Sequence, residues 1–262
     1  VSRRGVTPLA YSLDHCGPMT WNVEDSAILM LALAGHDPLD PASAKAKVPD
    51  YRAALGQGVA GKHIGLVRHF YDGDTQAAAP VKEAMAAAVA TFESLGAVVE
   101  EVQLPPLQDF HAADVFIMMT EAYAIHAKSI RETPEKYGEI FRDRLMLAST
   151  ISGLDYVQAQ RMRARLKAKV DAALQDYDFL VTAGGWAPAP ELKEMPKFYV
   201  FEFPLITTPF NVSGHPAMCV CNGFSPEKLP VGMQIVGRAF DDAGVMAAAH
   251  AFEQATPFRA KR

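Results

Sequence analysis

Disulfide frameworks, zinc-binding motifs and long hydrophobic runs are all missing from this sequence. Its three cysteines, Cys16, Cys219 and Cys221, make an odd number and show neither CxxC nor zinc-ligand spacing. No apolar run approaches the roughly 20 residues that a membrane helix requires, and no signal peptide opens the chain. The formal net charge of -5 gives no reason to expect nucleic acid or an anionic membrane as a partner. The number and spacing of the cysteines lead us to expect reduced, packed thiols in a cytoplasmic protein.

The common catalytic and cofactor motifs are missing as well. The sequence contains no Walker A loop, no GxGxxG after a strand, no HExxH and no GxSxG. Gly184 and Gly185 follow a predicted strand, but the prolines of the WAPAP stretch after them favour a plain turn over an anion-binding helix start. The histidines, among them His15, His126 and His215, are scattered without metal-type partners. The sequence therefore predicts no cofactor and no metal site.

What the sequence does contain is a pattern of alternating strands and helices. Residues 62–67 and 97–102 are short apolar runs, typical of buried strands. The helical stripe between them consists of Val81, Met85, Val89 and Phe92. This layout predicts a parallel strand–helix–strand crossover on an open sheet.

Further elements follow from the same periodicities. Asn22 is predicted to cap a helix, with Asp25 at its third position. The apolar stripe of this helix consists of Val23, Ala27, Leu31 and Ala34. Further helices are predicted at 109–130, 154–176 and 241–254, and further strands at 177–182, 217–221 and 233–236. We therefore predict an α/β fold with a mixed, largely parallel sheet that helices cover on both faces.

Basic residues cluster in the second of these long helices. They alternate with apolar residues and are Arg161, Arg163, Arg165, Lys167 and Lys169. We interpret the cluster as a solvated helix face rather than as a phosphate-binding patch.

Two longer stretches carry more information. The first, VSRRGVTPLAYSLDHCGPMTWNVEDSAILMLAL, contains the turn Gly5–Leu9, the segment Ser12–Pro18 and a helix start at Val23–Ala27. The second contains the turn TTPFNVSGHPA from Thr207 to Ala217 and the strand LPVGMQIVG from Leu229 to Gly237.

Both stretches, in this order, resemble hallmarks of the amidase-signature family of hydrolases. The family shows Gly-Val-x-Pro-Leu, Ser-Leu-Asp-x-x-Gly-Pro and Val-x-Asp-x-Ala in its first hallmark. Its second is Pro-x-Asn-x-x-Gly-x-Pro-Ala, followed by Leu-Pro-x-Gly-x-Gln. The resemblance implies that residues 1–262 are the C-terminal portion of a single amidase-signature domain, with a helical insertion at about 108–176.

The resemblance also implies a chemistry and its location. Enzymes of this family hydrolyse amides through a serine nucleophile, a second serine after a cis peptide bond and a neutral lysine, all of which precede the turn at Gly5. We therefore expect no catalytic residue in this chain, which alone would be inactive. Its expected partners are the missing N-terminal part of the same protein and a small-molecule amide. Whether the protein also forms a homodimer is left open by the sequence.

The resemblance assigns two groups of residues. One wall of the acyl pocket is expected to be formed by Phe116, Met119, Tyr123, Phe203, Ile206 and Thr207, for which ordinary core packing is the alternative. Structural roles in the motif turns and in the strand that follows them are expected for Asp14, Gly17, Pro18, Asn211, Gly214 and Gln234. For Asp14, the expected role is to accept neighbouring backbone N–H groups.

Three functions remain open on the sequence alone. The first is an amidase that acts on a small carboxamide in the full-length protein. The second is a non-catalytic truncated paralogue that acts as a scaffold. The third is the glutamine-hydrolysing subunit of a tRNA-dependent amidotransferase. Such subunits carry an acidic residue shortly before the Pro-x-Asn turn, where this sequence has Pro204 or its neighbours, with Glu202 a little upstream. That difference favours a stand-alone amidase.

Overall fold

A mixed sheet forms the centre of the computed structural model, which describes residues 1–192 and 196–261. The strands in these ranges are β1 (His63–Leu66), β2 (Val98–Glu101), β3 (Phe179–Ala183), β4 (Ala217–Phe224) and β5 (Pro230–Val236). Their spatial order is β2-β1-β3-β5-β4. β1 is parallel to both β2 and β3, whereas β5 is antiparallel to both β3 and β4. Thus β5 alone of these strands runs against the others, and the predicted mixed α/β fold is confirmed.

Helices surround this sheet. Those in the described ranges are α1 (Val23–Leu33), α2 (Tyr51–Ala54), α3 (Ala79–Ser94), α4 (Leu107–Glu132), α5 (Glu139–Ala148), α6 (Gly153–Asp176), α7 (Tyr199–Glu202), α8 (Thr208–Ser213) and α9 (Asp242–Ala255). The short helix α5 was not predicted from the sequence, although Phe141, Leu145 and Ala148 recur at helical spacing within it. None of the described helices combines the length and the apolar character that crossing a membrane requires.

The predicted strand–helix–strand unit is confirmed as β1–α3–β2, with β1 and β2 adjacent and parallel. Gly65 in β1 allows close packing, because a Cβ there would lie 2.8 Å from Leu180 Cδ2 and 2.9 Å from Val102 Cγ1. Both faces of the sheet are covered at its centre. Every residue of β3 is buried, as are the consecutive Met233, Gln234 and Ile235 of β5.

The start of α1 follows the prediction, but its buried face does not. The side chain of Asn22 accepts a hydrogen bond from the backbone N–H of Asp25 at 2.8 Å, which caps the helix. Leu31, predicted as part of the apolar stripe, is exposed, and Met30 is buried instead. With about 100° per residue, the seventh position after Val23 returns to its face, whereas the eighth lies on the flank.

The helices from α4 to α6 form a layer, in which α4 and α6 also contribute to the main core, for example through Phe110 and Leu166. α4 packs against α5, α6 and α8. Two apolar clusters are separate from the main core. One joins Ile117 and Ala159 to Ala10 and Leu13 of the first motif turn, and the other surrounds Ile130 and Leu145. That this layer is an insertion into the family domain stays a prediction.

Candidate functional site

The first motif turn is held by its own aspartate. The carboxylate of Asp14 accepts the backbone N–H of Leu9 at 2.9 Å and that of Ala10 at 3.1 Å. The carbonyl of Ala10 in turn accepts the N–H groups of Leu13 at 3.0 Å and of Asp14 at 2.8 Å. Gly17 and Pro18 then continue without regular secondary structure up to the cap of α1.

The second motif turn surrounds the short helix α8. Gly214 ends this helix with a φ of 74°, a left-handed conformation that glycine adopts without strain. Gln234 donates its amide to the carbonyl oxygens of Ala183 and Ile206, each at 3.1 Å. The stretch that leads into α8 is thereby tied to the centre of the sheet.

The two turns touch one another, although they lie at opposite ends of the chain. His15 Nδ1 is 2.6 Å from Asn211 Oδ1. An amide oxygen can only accept, so Nδ1 of His15 carries the proton. The segments that carry the family resemblance therefore meet at one place on the molecule.

A buried carboxylate on α4 holds the first turn. Glu121 accepts the N–H of Ser12 at 2.8 Å and its hydroxyl at 2.7 Å. It also accepts the hydroxyl of Tyr156 on α6 at 2.9 Å. Burial raises the pKa of Tyr156, and the bond to Glu121 raises it further, so the phenol stays protonated as a donor.

Arg163 on α6 reaches both turns. Its Nε donates to the carbonyl of Val212 and its Nη2 to that of Ser12, each at 2.8 Å. Burial lowers the pKa of Arg163, while the nearby charge of Glu121 acts in the opposite direction. The sequence-based interpretation of the basic cluster as a solvated face is wrong for this residue. Arg163 lies on the buried stripe of α6, which contains Ala159, Leu166, Val170 and Leu174.

A second polar connection closes the end of α8. His215 lies 2.9 Å from Ser213 through Nδ1 and 3.0 Å from Asp171 through Nε2. Burial lowers the pKa of His215, with a smaller effect of Lys167 in the same direction. The neutral ring thus donates from Nε2 to Asp171 and accepts the hydroxyl of Ser213. Ser213 and His215 are both buried, and their connection ties α8 to α6.

The residues predicted to line a pocket lie on neighbouring elements. Phe116 and Met119 are on α4, where Phe116 is partly exposed and Met119 is buried. Tyr123, one turn later, packs in the cluster around Ile130 and Leu145.

The remaining three lie on the stretch that leads into α8. Phe203 is exposed, with its ring 6.4 Å from that of Trp186. Ile206 is buried in the main core and Thr207 is exposed. This stretch contacts α4 where His111 Nε2 lies 3.3 Å from the carbonyl oxygen of Phe201.

A groove of about 500 Å³ lies along α6, beside the end of α8. Its lining consists of Gln160, Arg163, Ala164, Lys167, Ser213, Gly214, Ala239 and Phe240. Phe240 has a φ of 66°, which bulky side chains rarely adopt. Arg163 is thus part of the lining of this groove. Residues 1–192 and 196–261 contain no group of three or more His, Cys, Asp or Glu side chains placed to hold a metal ion.

Glu121, Tyr156 and Arg163 were not predicted from the sequence, although a signal was present for two of them. Glu121 continues the buried spacing of Phe110, Ala113 and Ile117 on α4. Arg163 likewise continues the buried stripe of α6. When a charged residue lies on the buried face of a helix, its charge needs a hydrogen-bond or ion-pair partner, and this partner comes from another part of the fold. For Tyr156 we find no such signal.

Comparisons with known proteins agree with the motif segments. The family model described as Amidase matches residues 1–246. A glutamyl-tRNA(Gln) amidotransferase subunit from Lysinibacillus sphaericus is 35% identical over 285 aligned positions, which cover 98% of this chain and 58% of that protein. The corresponding subunit from Geobacter sp. strain M21 is 34% identical, with coverage of 100% and 59%.

Solved structures give the same result. The corresponding glutamyl-tRNA(Gln) amidotransferase subunit from Thermotoga maritima superimposes with a TM-score of 0.84 at 30% identity, over 98% of this chain and 56% of that one. The native peptide amidase of Stenotrophomonas maltophilia does so with a TM-score of 0.78 at 26% identity, over 97% and 56%. The chain thus spans less than three-fifths of the length of these relatives. Matched in sequence and in fold along nearly all of its own length, the chain belongs to the amidase family, the amidase-signature enzymes.

Proposed function

We propose that the protein to which this chain belongs hydrolyses the carbon–nitrogen bond of a small carboxamide. The observation that carries the proposal is the meeting of the two motif turns, through His15 and Asn211 at 2.6 Å and through Arg163, in a chain of the amidase family. The turns belong to segments 196 residues apart, so their contact is a property of the fold and not of local sequence.

The chemistry requires more than these turns provide. An amide nitrogen is a poor leaving group, so the reaction needs an activated nucleophile, a base and a proton donor. Hydrogen-bond donors must also face the oxyanion that develops on the carbonyl oxygen. We propose that a Ser–Ser–Lys set supplied by a further segment of the same protein performs these steps, and that the 262-residue chain alone is inactive.

Two surface features support a further segment as the partner. Many large apolar side chains in the first 39 residues are exposed. They are Val6, Leu9, Tyr11, Met19, Trp21, Ile28, Leu29, Leu31, Leu33 and Leu39. In addition, among the described strands β4 pairs with β5 only, which leaves its outer edge open. Exposed apolar side chains and an open strand edge each promote association. The isolated chain should therefore aggregate, and co-expression with the further segment should prevent this.

The six pocket residues belong to the same proposal. Phe116, Met119 and Tyr123 on α4 would form one part of the acyl pocket, and Phe203, Ile206 and Thr207 the other. The bond between His111 and the carbonyl of Phe201 supports this arrangement, because it brings the two stretches together. The proposal also places the protein in the cytoplasm, where thiols such as the free Cys16 and Cys221 stay reduced.

A second candidate is the glutamine-hydrolysing subunit of an amidotransferase. It is favoured by the relatives from Lysinibacillus sphaericus and Geobacter, which carry the name of such an enzyme. Against it stands the stretch before the Pro-x-Asn turn, where the resemblance leads us to expect an acidic side chain and this sequence has Pro204 or its neighbours, with Glu202 a little upstream. The two candidates differ in whether hydrolysis requires partner subunits.

The test uses the full-length protein encoded by the gene and, beside it, the 262-residue chain. Both are given a panel of small aliphatic and aryl carboxamides and glutamine, and the release of ammonia or amine is measured. A fluorophosphonate probe with peptide mapping locates the reactive serine. We expect hydrolysis and labelling in the full-length protein and neither in the chain. Glutamine hydrolysis only with added partner subunits would favour the second candidate, whereas absence of both hydrolysis and labelling would favour a non-catalytic scaffold.

A further inference from the structure

Ser12, at the centre of the first motif turn, has every polar group held by the helical layer. Its N–H and hydroxyl donate to Glu121 on α4 at 2.8 and 2.7 Å. Its carbonyl accepts from Arg163 on α6 at 2.8 Å. Two helices that contribute nothing to either motif therefore fix the position of this residue.

The second turn shares one of these two supports. Val212 lies in the last turn of α8, where carbonyl groups lack partners within the helix. Its carbonyl accepts Nε of Arg163 at 2.8 Å. The planar guanidinium thus bonds one carbonyl of each motif turn at the same time. A lysine cannot do this with the same geometry, because its ammonium is a single point at the end of a flexible stem.

We propose that Arg163 is a positioning residue that fixes the distance between the two motif turns, and that Glu121 secures the first turn against it. The inference rests on the proposed function, since the turns matter for catalysis only if the protein is an amidase. Opposite charges on Glu121 and Arg163 attract one another beside Ser12, which strengthens both supports. Displacement of either turn by about 1 Å would lower the rate roughly 100-fold.

The kinetic test uses the full-length protein with Arg163→Ala and Arg163→Lys. Exposed arginines of the same helix provide matched controls, as Arg161→Ala and Arg165→Ala. We expect kcat to fall about 100-fold in Arg163→Ala, with a smaller change in KM, and to fall less in Arg163→Lys. Added ethylguanidinium should restore part of kcat in Arg163→Ala only, because the groove beside α6 admits it to the vacated position. Unchanged kcat in both Arg163 variants would overturn the proposal.

Hydrogen exchange separates this proposal from the proposed function. Backbone exchange is measured by mass spectrometry in peptides that cover residues 9–15 and 208–215. Arg163→Ala should accelerate exchange in both peptides about tenfold or more, and Glu121→Gln only in the first, because charged hydrogen bonds are lost at those turns. If the native protein hydrolyses no amide but both peptides respond in this way, the proposed function fails and the positioning role stands. If neither peptide responds in Arg163→Ala, the positioning role fails. Should Arg163→Ala not fold, Arg163→Lys is measured instead, and exchange and kcat both equal to those of the native protein would overturn the proposal.

Discussion

His15 Nδ1 lies 2.6 Å from Asn211 Oδ1, and this contact joins the two segments by which the family is recognised. Asn211 follows Phe210, a fully buried residue of α8, and His15 follows Asp14, which holds the first turn. Each side chain therefore projects from a backbone that other bonds already fix. The contact reports on how well the two turns are aligned.

Asn211→Ala should lower the free energy of unfolding by about 1 kcal/mol, the usual net contribution of a hydrogen bond. In the Asn211→Ala protein, the further substitution His15→Ala should lower the free energy of unfolding only slightly more. A double-mutant cycle with His15→Ala, measured by urea denaturation, should give a coupling energy of about 0.5–1.5 kcal/mol. A coupling energy near zero would mean that the contact does not stabilise the protein.

Glu121→Gln should destabilise the protein by about 2–3 kcal/mol. The glutamine amide can keep one oxygen acceptor, but its NH2 group would face donors of Ser12 or Tyr156. Tyr156→Phe removes a single donor and should cost about 1 kcal/mol. Both changes in the free energy of unfolding are to be measured by urea denaturation at neutral pH. Ser12→Ala serves as the control, because it removes a single hydroxyl group and leaves the carboxylate in place. Equal stability of Glu121→Gln and the native protein would contradict the role of this carboxylate as the acceptor that holds Ser12.

Elements set by local pattern could be predicted from the sequence. The cap at Asn22, the β1–α3–β2 unit and the strand around Gln234 depend on residues within one or two turns or strands of one another. The order of the strands could not be predicted. β3 ends at Ala183 and its partner β5 begins only at Pro230, and no local pattern encodes a pairing between strands so far apart in the chain.

Arg163 and Glu121, which hold the two motif turns, could not be predicted from the sequence either. Arg163 stands among alternating basic residues, which is typical of a solvated face, and its acceptors are carbonyls of Ser12 and Val212 that any residue would supply. Since every residue has a backbone carbonyl, the residue types at positions 12 and 212 do not reveal that these carbonyls accept from Arg163. The phase of the helix was the available signal, since Arg163 and Glu121 both fall on buried stripes.

Asp114→Asn should stabilise the protein, and the gain should depend on pH. Burial raises the pKa of Asp114 to about 6 from 3.8, against a smaller effect of Arg163. A carboxyl with a raised pKa is tolerated in its protonated form, so its cost appears as pH rises above about 4 and is complete above about 6. The variant should be more stable than the native protein by about 1–3 kcal/mol at pH 7.5 and by little at pH 4.

The measurement is urea denaturation of both proteins at a series of pH values, and the difference between them is followed. The exposed Asp176→Asn on α6 serves as the control and should show no such trend. Other groups titrate in this range. Burial lowers the pKa of His215 from 6.5, so the protein becomes less stable as pH falls below about 6.5. That effect is common to both proteins and cancels in the difference. A gain that is constant from pH 4 to 7.5 would show that the charge of Asp114 is not its cause.

Gln234→Glu should be more harmful than Gln234→Met at neutral pH, although glutamate has nearly the shape of glutamine. The amide of Gln234 donates to the carbonyls of Ala183 and Ile206, each at 3.1 Å, in a buried position. Methionine leaves both carbonyls without this donor, at a cost of about 2–3 kcal/mol. A carboxylate would in addition bury an unpaired charge against two oxygens, and this penalty exceeds the loss of the bonds.

Acid should reverse that order. Burial raises the pKa of the introduced carboxyl, so the folded state binds a proton more readily than the unfolded state does, and stability increases as pH falls through the folded-state pKa. Once protonated, the carboxyl is neutral and has one O–H that can donate to the carbonyl of Ala183 or Ile206. Urea denaturation at pH 7.5 and pH 4.5 should therefore place the glutamate variant below the methionine variant at the first pH and level with it or above it at the second. The exposed Gln175→Glu should show no comparable shift. Equal stability of the Gln234→Glu protein at both pH values would mean that the introduced carboxyl is not buried against the two carbonyls.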